Sequence, residues 1–345
     1  MAELGLQAFL VTSLAHIRYL FGFTGSNALA LIDPERAVLV TDRRYTQQAK
    51  DEVTNAEVVV APHDLFSEIK EKALVPPGRK LGFEAAHLSV KHYTQLRKKL
   101  PDVKLVASEQ VVEHLASVKD PAEVESVRRA GAICTRVFDE LLALVSPGVS
   151  ELDLSAELSY RTRKLGSERD PFEPIVASGA RSALPHGISS RKALEPGDLV
   201  IVDFGATVNG YAADFSRTLV VGEPSLKQRE MADLVRKALA AAEARVRPEM
   251  RGKELDRVAR DFLTERGYGA FFQHSLGHGL GLEVHGLPRI GERSNDVLQV
   301  GNVITLEPGV YLPEIGGVRI EDDFVITEAG VENLTPYSRE LVCVA

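Results

Sequence analysis

Two aspartates stand on a predicted β-hairpin in the middle of the chain. An apolar run ends at Asp203, and Asn209-Gly210, the strongest short signal for a hairpin turn, follows it. If these two residues form the turn, Asp203 lies opposite Ser216. Asp214 then becomes its diagonal neighbour on the same face, with the backbones about 7–8 Å apart. Two such carboxylates repel each other unless a metal ion or a proton separates them, so the pair predicts a cation site; the alternative is an exposed, polar strand edge.

A segment rich in histidine and glycine follows later in the chain. His274, His278 and His285 lie within twelve residues, together with three glycines. Glycine lets the backbone approach a ligand closely, and neutral imidazole is the commonest nitrogen ligand for metals. A single histidine here would be typical of a structural role, whereas three predict a binding or catalytic site.

Two further predicted strands end in carboxylates. One ends at Glu307, directly before Pro308, and the other carries Arg319 and Glu321. Strand alternation places Arg319 and Glu321 on one face, so the arginine is predicted to orient the Glu321 carboxylate. Either acid alone would indicate little, because charged residues often flank strands.

Together these segments supply one imidazole and four carboxylates: His278, Asp203, Asp214, Glu307 and Glu321. So oxygen-rich a set suits two divalent ions better than one zinc ion. Two ions about 3.5–4 Å apart can hold a bridging hydroxide and stabilise both the attacking and the leaving group of a hydrolysis. The set therefore predicts a hydrolase with two metal ions per chain.

The elements that must position these residues fall into two parts. In the first ~115 residues, strands are predicted at Leu29–Ile32, Ala37–Val40 and Val58–Val60, separated by helical stretches, which indicates an α/β unit. A boundary is predicted near Lys119, where Asp120 and Pro121 can begin a helix that Pro147-Gly148 ends. The second part alternates strands with amphipathic helices near 151–165, 225–246 and 253–266.

The composition is that of an ordinary globular protein. The 345 residues are 44% hydrophobic and 26% charged, with a formal net charge of −8 at pH 7. A mildly acidic chain without a basic cluster argues against nucleic acid or an anionic membrane surface as a partner, and no apolar run approaches the length of a membrane helix. Two isolated cysteines, Cys134 and Cys343, and an N-terminus without the basic start of a signal peptide predict a cytoplasmic protein.

The motifs of the second part resemble those of a known family. In order they are VDFGATVNGYAADFSRT, HSLGHGLGLEVH, ITLEPGVY and GGVRIEDD, before LTPYSREL. They are similar to the pita-bread metallopeptidases, which comprise methionine aminopeptidase, aminopeptidase P, prolidase and the metal-free creatinase. The resemblance implies an α+β domain of two ββα halves related by a pseudo-twofold axis. It also implies that the metal ligands are Asp203, Asp214, His278, Glu307 and Glu321.

The resemblance assigns further residues to the reaction. His186, in ALPHG, and His285 match the family's substrate-handling histidines, and His274 matches another active-site histidine of proline-directed members. Arg319 joins this catalytic set because it is predicted to orient the Glu321 carboxylate.

Two positions bear on substrate preference. Arg289 matches an arginine of prolidases and is predicted to grip the free carboxylate after proline. The alternatives are an exposed arginine after a proline turn, or Arg293 in its place. Gly286 stands where the family usually has an acidic residue, which affects the hydrogen bonding expected around His285.

The first part resembles the α/β creatinase-like domain of prolidases and aminopeptidases P, which methionine aminopeptidases lack. The matching segments are IRYLFGFTGSNALALI and VLVTDRRYTQQA. We therefore predict an N-terminal domain at 1–118 and a catalytic domain at 119–345. In relatives the N-terminal domain helps to form a homodimer and can close over the partner's active site.

These features predict an Xaa-Pro dipeptidase (prolidase), which acts on Xaa-Pro dipeptides or short proline-containing peptides. The short N-terminal domain, the GHG form of the histidine motif and the Leu287–Ile290 segment favour it over aminopeptidase P, which acts on longer peptides. A metal-free amidinohydrolase and a non-catalytic peptide-binding module are less favoured, because both would be expected to have lost metal ligands. Manganese suits the oxygen-rich site best, and cobalt or zinc would also be accepted.

Overall fold

The computed structural model describes residues 4–344 of the chain. It divides into two compact units, Met1–Ala116 and Ser117–Ala345. The predicted first domain ends at residue 118, two residues beyond this division. Within residues 4–344, no helix has both the length and the apolar character needed to cross a membrane.

The first unit is built on a six-stranded mixed sheet. Its strands are β1 (Ala8–Val11), β2 (Ala28–Ile32), β3 (Ala37–Asp42), β4 (Glu57–Ala61), β5 (Lys80–Glu84) and β6 (Lys104–Ser108). Its helices are α1 (Leu14–Phe21), α2 (Thr46–Glu52), α3 (Leu65–Glu71), α4 (Val90–Lys99) and α5 (Val111–Ser117). The strand order is β4-β3-β2-β1-β5-β6, with β1, β5 and β6 parallel to one another.

Helices and loops cover both faces of this sheet. In β1, Leu10 belongs to one apolar cluster and its neighbours Phe9 and Val11 belong to another. A strand that is buried on both faces reads as a continuous apolar run. For this reason the three strands predicted in this part are confirmed as β2, β3 and β4, each slightly longer than predicted.

The second unit contains more strands, arranged in three sheets. Its helices are α6 (Pro121–Leu142), α7 (Glu151–Lys164), α8 (Leu226–Glu243) and α9 (Gly252–Thr264). Its strands are β7 (Ile175–Ser178), β8 (Leu199–Val208), β9 (Tyr211–Val221), β10 (Gly277–Gly279), β11 (Gly286–Ile290), β12 (Val303–Leu306), β13 (Gly309–Leu312), β14 (Gly316–Arg319), β15 (Asp322–Thr327), β16 (Gly330–Asn333) and β17 (Val342–Val344). The sheet orders are β17-β9-β8-β7, β11-β10-β12-β15-β16 and β13-β14.

Helix α6 begins where the sequence predicts. The Asp120 side chain accepts hydrogen bonds from the backbone N–H groups of Ala122 and Glu123 (2.8 and 2.9 Å), and the Glu123 carboxylate accepts one from the Asp120 N–H (2.7 Å). The predicted end at Pro147-Gly148 is wrong, because α6 stops at Leu142. The chain tightens there into a turn in which the Leu144 N–H bonds to the Leu141 carbonyl (2.8 Å).

The order of elements in the second unit repeats. Helices α6 and α7 precede strands β7 to β9, and helices α8 and α9 precede strands β10 to β12. One apolar core joins α6 and α7 to the first sheet, and another joins α8 and α9 to the strands of the second half. Val202 and Phe204 pack into the first of these cores. Asp203, which lies between them on β8, therefore points away from the helices.

Candidate metal centre

The β8–β9 hairpin places two carboxylates on one face. Val208 pairs with Tyr211, and Asp203 lies opposite Ser216, so the predicted register is confirmed. Asp214 pairs with Gly205 and is the diagonal neighbour of Asp203. The two carboxylates are only 8% and 5% exposed, so the alternative of an exposed strand edge is excluded.

Three further side chains reach the same place from the second half of the unit. His278 lies on β10, Glu307 directly follows β12, and Glu321 lies between β14 and β15. An isolated antiparallel bridge pairs Glu321 with Ser216, and the Glu321 N–H donates to the Ser216 carbonyl (3.0 Å). This bridge brings Glu321 to the hairpin, so the five predicted ligands are assembled from both halves.

The imidazole of His278 faces the carboxylates with its lone pair. Its Nδ1–H donates to the Gly279 carbonyl (3.1 Å), so Nε2 carries the lone pair. Nε2 lies 3.6 Å from Glu307 Oε1 and 3.9 Å from Asp214 Oδ2, too far for hydrogen bonds. Ligand atoms of Asp214, His278 and Glu321 all lie within 4.8 Å of one another. A lone pair surrounded by carboxylate oxygens is the arrangement expected of a cation site.

Buried oxygens without hydrogen-bond partners mark the same cluster. Within residues 4–344, the atoms in this condition are Asp203 Oδ1, Asp214 Oδ1, Glu321 Oε1, Asp323 Oδ1 and Thr207 Oγ1. Four of the five are carboxylate oxygens, and leaving such an atom buried and unpaired is costly. The donor set therefore fits divalent metal ions, which bind carboxylate oxygen and neutral imidazole.

Burial and mutual repulsion shift the pKa values of the cluster. The pKa of Glu321 is raised to about 8, first by burial and then by the Asp203 charge. The pKa values of Asp214 and Glu307 rise well above the ordinary range, by burial and then by the Glu321 charge. Burial and the neighbouring His285 lower the pKa of His278 to about 4. Metal binding at this cluster must therefore release protons.

A pH-dependent stability follows for the chelated protein. Its Glu321 keeps its proton in the folded state up to about pH 8, whereas the unfolded chain loses it near the ordinary pKa of 4.5. The unfolded state thus binds fewer protons, and this group's contribution to the free energy of unfolding falls as the pH rises through that window. Denaturant unfolding of chelated wild type and of Glu321→Gln, at several pH values, isolates the contribution. A stability difference that stays constant across the window would contradict it.

Arg319 contacts Asp203 and reaches Glu321 only indirectly. Its Nη2 donates to Asp203 Oδ2 (2.5 Å) and its Nε to the Ser216 hydroxyl (3.1 Å). The Ser216 hydroxyl in turn donates to Glu321 Oε2 (2.9 Å). The predicted orientation of Glu321 by Arg319 would therefore act through the Ser216 hydroxyl. Strand β14 ends at Arg319, so the alternation that placed both side chains on one face does not continue to Glu321.

A chain of hydrogen bonds links Arg319 to His274. Arg319 Nη1 donates to the Tyr311 hydroxyl (2.9 Å), Tyr311 donates to His274 Nε2 (2.7 Å), and His274 Nδ1 donates to the Ser275 carbonyl (2.8 Å). Burial and then the Arg319 charge lower the pKa of His274 to about 3, and burial raises the pKa of Tyr311 to about 12. Both side chains are neutral at pH 7, and His274 Nδ1 lies 3.7 Å from Glu307 Oε2.

His285 and His186 are the exposed histidines beside this cluster. The His285 ring lies 4.6 Å from the His278 ring, centroid to centroid. Burial, and then the charge of His186, lower the pKa of His285, and His186 also lowers the pKa of His274. His186 follows Pro185, whose carbonyl accepts from Arg319 Nη1 (2.9 Å). His285 therefore borders the cluster, and His186 lies close enough to His285 and His274 for its charge to act on both.

Arg289 lies on the edge strand β11 with its side chain 62% exposed. Its Nε and Nη2 donate to the two carboxylate oxygens of Asp296 at 3.0 and 3.3 Å. The structure thus pairs this guanidinium with an acid of the following loop. At Gly286, a Cβ atom would make only ordinary contact with the Gly279 carbonyl, at 3.4 Å. The backbone therefore does not require glycine where the family usually has an acidic residue.

Several residues around the ligands were not predicted from the sequence. The Asp323 carboxylate accepts from the Asp214 N–H (2.9 Å). The buried Arg217 donates to the Glu321 carbonyl (2.7 Å) and to Asp322 (2.6 Å). Ser216 and Tyr311, described above, also belong to this group. The predicted hairpin register pointed to Ser216 alone, because it places that serine opposite Asp203.

Comparisons with known proteins identify the family. Residues 125–328 match metallopeptidase family M24, and residues 1–118 match the creatinase/prolidase N-terminal domain. The solved structure of an Xaa-Pro dipeptidase from Bacillus anthracis is 40% identical, with a TM-score of 0.96 over 99% of this chain and 96% of that one. An X-Pro aminopeptidase from Thermotoga maritima MSB8 is 39% identical, with a TM-score of 0.91 over 99% and 98%.

An Xaa-Pro dipeptidase from Pyrococcus furiosus is 38% identical over 324 residues, which cover 93% of this chain and 91% of the relative. Several such relatives align over nearly their whole length, and both domains are matched in the expected order. The chain therefore belongs to metallopeptidase family M24, with a creatinase-type N-terminal domain and a pita-bread catalytic domain.

Proposed function

We propose that this chain is an Xaa-Pro dipeptidase, a metal-dependent hydrolase that cleaves the peptide bond before proline in dipeptides. The observation that carries the proposal is the buried carboxylate cluster around His278, with four carboxylate oxygens lacking hydrogen-bond partners among the described residues. The similarity to dipeptidases from Bacillus anthracis and Pyrococcus furiosus supports the substrate class.

In this proposal, five side chains hold two divalent ions: Asp203, Asp214, His278, Glu307 and Glu321. When bound, such ions supply Lewis acidity and an activated water for hydrolysis. The chain's own groups fix the ligands. Arg319 and Ser216 hold the Asp203 and Glu321 carboxylates through hydrogen bonds of 2.5 and 2.9 Å, so that these ligands are oriented before substrate arrives.

The exposed histidines act on the substrate. His285 borders the cluster, His186 lies close enough to influence it, and burial lowers the pKa of His285, which favours the neutral form of its ring. A neutral imidazole can donate a hydrogen bond to the oxyanion of a tetrahedral intermediate, or it can take up a proton released by the attacking water and pass it to the leaving proline nitrogen. We assign these two roles to His186 and His285. His274, held by Tyr311 and Ser275, positions the cluster from the side of Glu307.

Aminopeptidase P activity, on longer peptides with proline second, is the alternative. The 39% identity to an X-Pro aminopeptidase from Thermotoga maritima favours it, while the relatives named Xaa-Pro dipeptidase favour the first proposal. A metal-free amidinohydrolase and a non-catalytic binding module fit less well, because all five predicted metal ligands are retained.

One assay separates these functions. The purified protein is stripped of metal and refilled with manganese, cobalt or zinc, then given Xaa-Pro, Xaa-Pro-Yaa and, as a control, Xaa-Ala. We expect kcat/KM to be highest for Xaa-Pro and negligible for Xaa-Ala. A preference for Xaa-Pro-Yaa would identify an aminopeptidase P instead. If the protein hydrolyses none of the three substrates with manganese, cobalt or zinc, it is not a proline peptidase.

Arg289 provides a test of dipeptide recognition. In our proposal it exchanges Asp296 for the free carboxylate that follows proline, which a guanidinium can bind through two parallel hydrogen bonds. Arg289→Ala should then raise KM for Xaa-Pro and leave activity on an Xaa-Pro amide nearly unchanged. Arg293→Ala tests the alternative arginine, and a loss on the acid but not on the amide in that variant would move the role to Arg293. Equal losses of activity on the acid and the amide would mean that Arg289 stabilises the following loop through Asp296 and does not bind the substrate carboxylate.

Three finer proposals accompany this function. We infer that manganese is the working metal, because the ligands are mainly carboxylates; that the protein is a homodimer; and that it works in the cytoplasm. The unpaired thiols Cys134 and Cys343 are consistent with a reducing compartment. Metal analysis of the purified protein and light scattering after gel filtration test the first two.

A further inference from the structure

Three side chains able to bind a metal converge within the first unit. His16 lies in α1, which follows β1; His87 lies in the segment after β5; and Glu113 lies in α5, which follows β6. The three strands are neighbours in the sheet and run parallel. The segments that leave their carboxyl ends therefore meet at one edge of the sheet, the usual place for ligands in open α/β sheets.

The geometry of the three side chains is close to that of a metal site. One ligand atom from each lies within 4.8 Å of the others. The His16 and His87 rings are 5.0 Å apart and nearly perpendicular, and His87 Nε2 lies 3.8 Å from Glu113 Oε1. Zinc bonds of about 2.0–2.1 Å place tetrahedral ligand atoms about 3.4 Å apart. Small rotations of His87 and Glu113, whose side chains are 27% and 22% exposed, would close the site.

A buried carboxylate orients the first of these ligands. Glu84, at the end of β5, is 4% exposed, and its Oε1 accepts a hydrogen bond from His16 Nδ1. Its Oε2 accepts from the backbone N–H groups of Thr12 and Ser13 at 2.6 and 2.9 Å. When the His16 ring is neutral, this hydrogen bond keeps the proton on Nδ1 and leaves the lone pair on Nε2. A carboxylate behind a histidine is the arrangement that fixes the tautomer of metal-binding histidines.

We propose that His16, His87 and Glu113 bind one divalent transition-metal ion of the zinc class, with Glu84 orienting His16. Two imidazoles and one carboxylate suit zinc with a fourth position for water. The ion would join α1, the segment after β5 and α5, and so stabilise the carboxyl edge of the N-terminal sheet. The competing explanation is a buried ion pair between His16 and Glu84 that binds no metal.

The test counts zinc in the full-length protein. The parent for this experiment carries Asp214→Asn and Glu321→Gln, which disable the proposed catalytic centre and leave the first unit unchanged. The protein is stripped with chelator, incubated with Zn²⁺, freed of excess ion and analysed by mass spectrometry of the metal. We expect about one zinc per chain in this parent and near zero after adding His87→Ala or Glu113→Gln. His63→Ala, at an exposed histidine of the same unit, should leave the count unchanged.

A second measurement addresses the role of Glu84. Competition with a chromophoric chelator should show that Glu84→Gln weakens zinc binding by about 10–100-fold, the usual effect of removing an orienting carboxylate. Circular dichroism verifies that each variant is folded; His87 and Glu113 are chosen because both are partly exposed. Equal zinc content and affinity in the parent, His87→Ala and Glu113→Gln would overturn the proposal and leave an ordinary ion pair at His16. Since activity is not measured, this result is independent of the proposed peptidase function.

Discussion

Asp214→Asn is expected to abolish peptidase activity and to lower the metal content of the protein. Asparagine keeps the shape of the side chain but removes one negative charge and one strong ligand oxygen from a cluster with a single imidazole. We expect kcat/KM to fall by more than about 100-fold. Removing a residue that only hydrogen-bonds to a metal ligand already lowers activity or metal affinity by about 10–100-fold. Steady-state kinetics on Xaa-Pro and metal analysis after chelation and refilling provide the two measurements.

The control for this variant is Glu328→Gln, which removes an exposed carboxylate of the same unit and should change neither quantity. Glu321→Gln should behave like Asp214→Asn, since its Oε1 is another of the buried oxygens without a partner. Full activity of the chelated wild-type protein would contradict the two-metal mechanism. Full activity of Asp214→Asn with an undiminished metal content would remove Asp214 from the ligand set.

The assembly of this cluster could be predicted where local rules determine the geometry. Asn209 and Gly210 adopt φ values of 51° and 85°, which the primed hairpin turn requires and which asparagine and glycine tolerate well. The turn fixes the register, and the register fixes which residues share a face. For this reason the relation of Asp203, Asp214 and Ser216 follows from the sequence alone.

The hydrogen bonds of the arginines could not be predicted in this way. Strand alternation predicts that Arg319 orients Glu321, but the strand ends at Arg319. The side chain bonds directly to Asp203, more than a hundred residues earlier in the chain, and reaches Glu321 only through Ser216. Such a contact depends on how β14 packs on the hairpin. The match to an arginine of prolidases predicts that Arg289 reaches the substrate, whereas in the structure its side chain is bonded to a local acid, Asp296.

Dependence on packing between distant segments also explains why the sequence did not reveal the histidine pair of the first unit. His16 and His87 are separated by most of the N-terminal sheet in sequence, and only the parallel pairing of β1 with β5 brings them together. Register between parallel strands is set by long connections whose geometry no short motif encodes. Clusters of this kind become visible only when the strand order is known.

His285→Ala and His278→Ala are expected to separate catalysis from metal binding. The two rings are only 4.6 Å apart, yet His278 directs Nε2 at Glu307 and Asp214, whereas His285 is exposed at the edge of the cluster. His285→Ala, like His186→Ala, should lower turnover of Xaa-Pro by about 10²–10⁴-fold, as expected for loss of a proton-transfer or oxyanion-stabilising group. Its metal content should stay at the wild-type value. His278→Ala should lose metal as well as activity.

The contrast between neighbouring rings makes the outcome easy to interpret. Kinetics and metal content are measured on the same preparations, with His63→Ala as a control for the loss of any histidine. If His285→Ala empties the site while His278→Ala keeps its metal, the two roles are exchanged, and the lone pair of His278 does not bind the ion it faces. If both variants keep their metal and their turnover, neither ring takes part in the reaction. Proton transfer must then be assigned to His186 or to His274, which Tyr311 contacts.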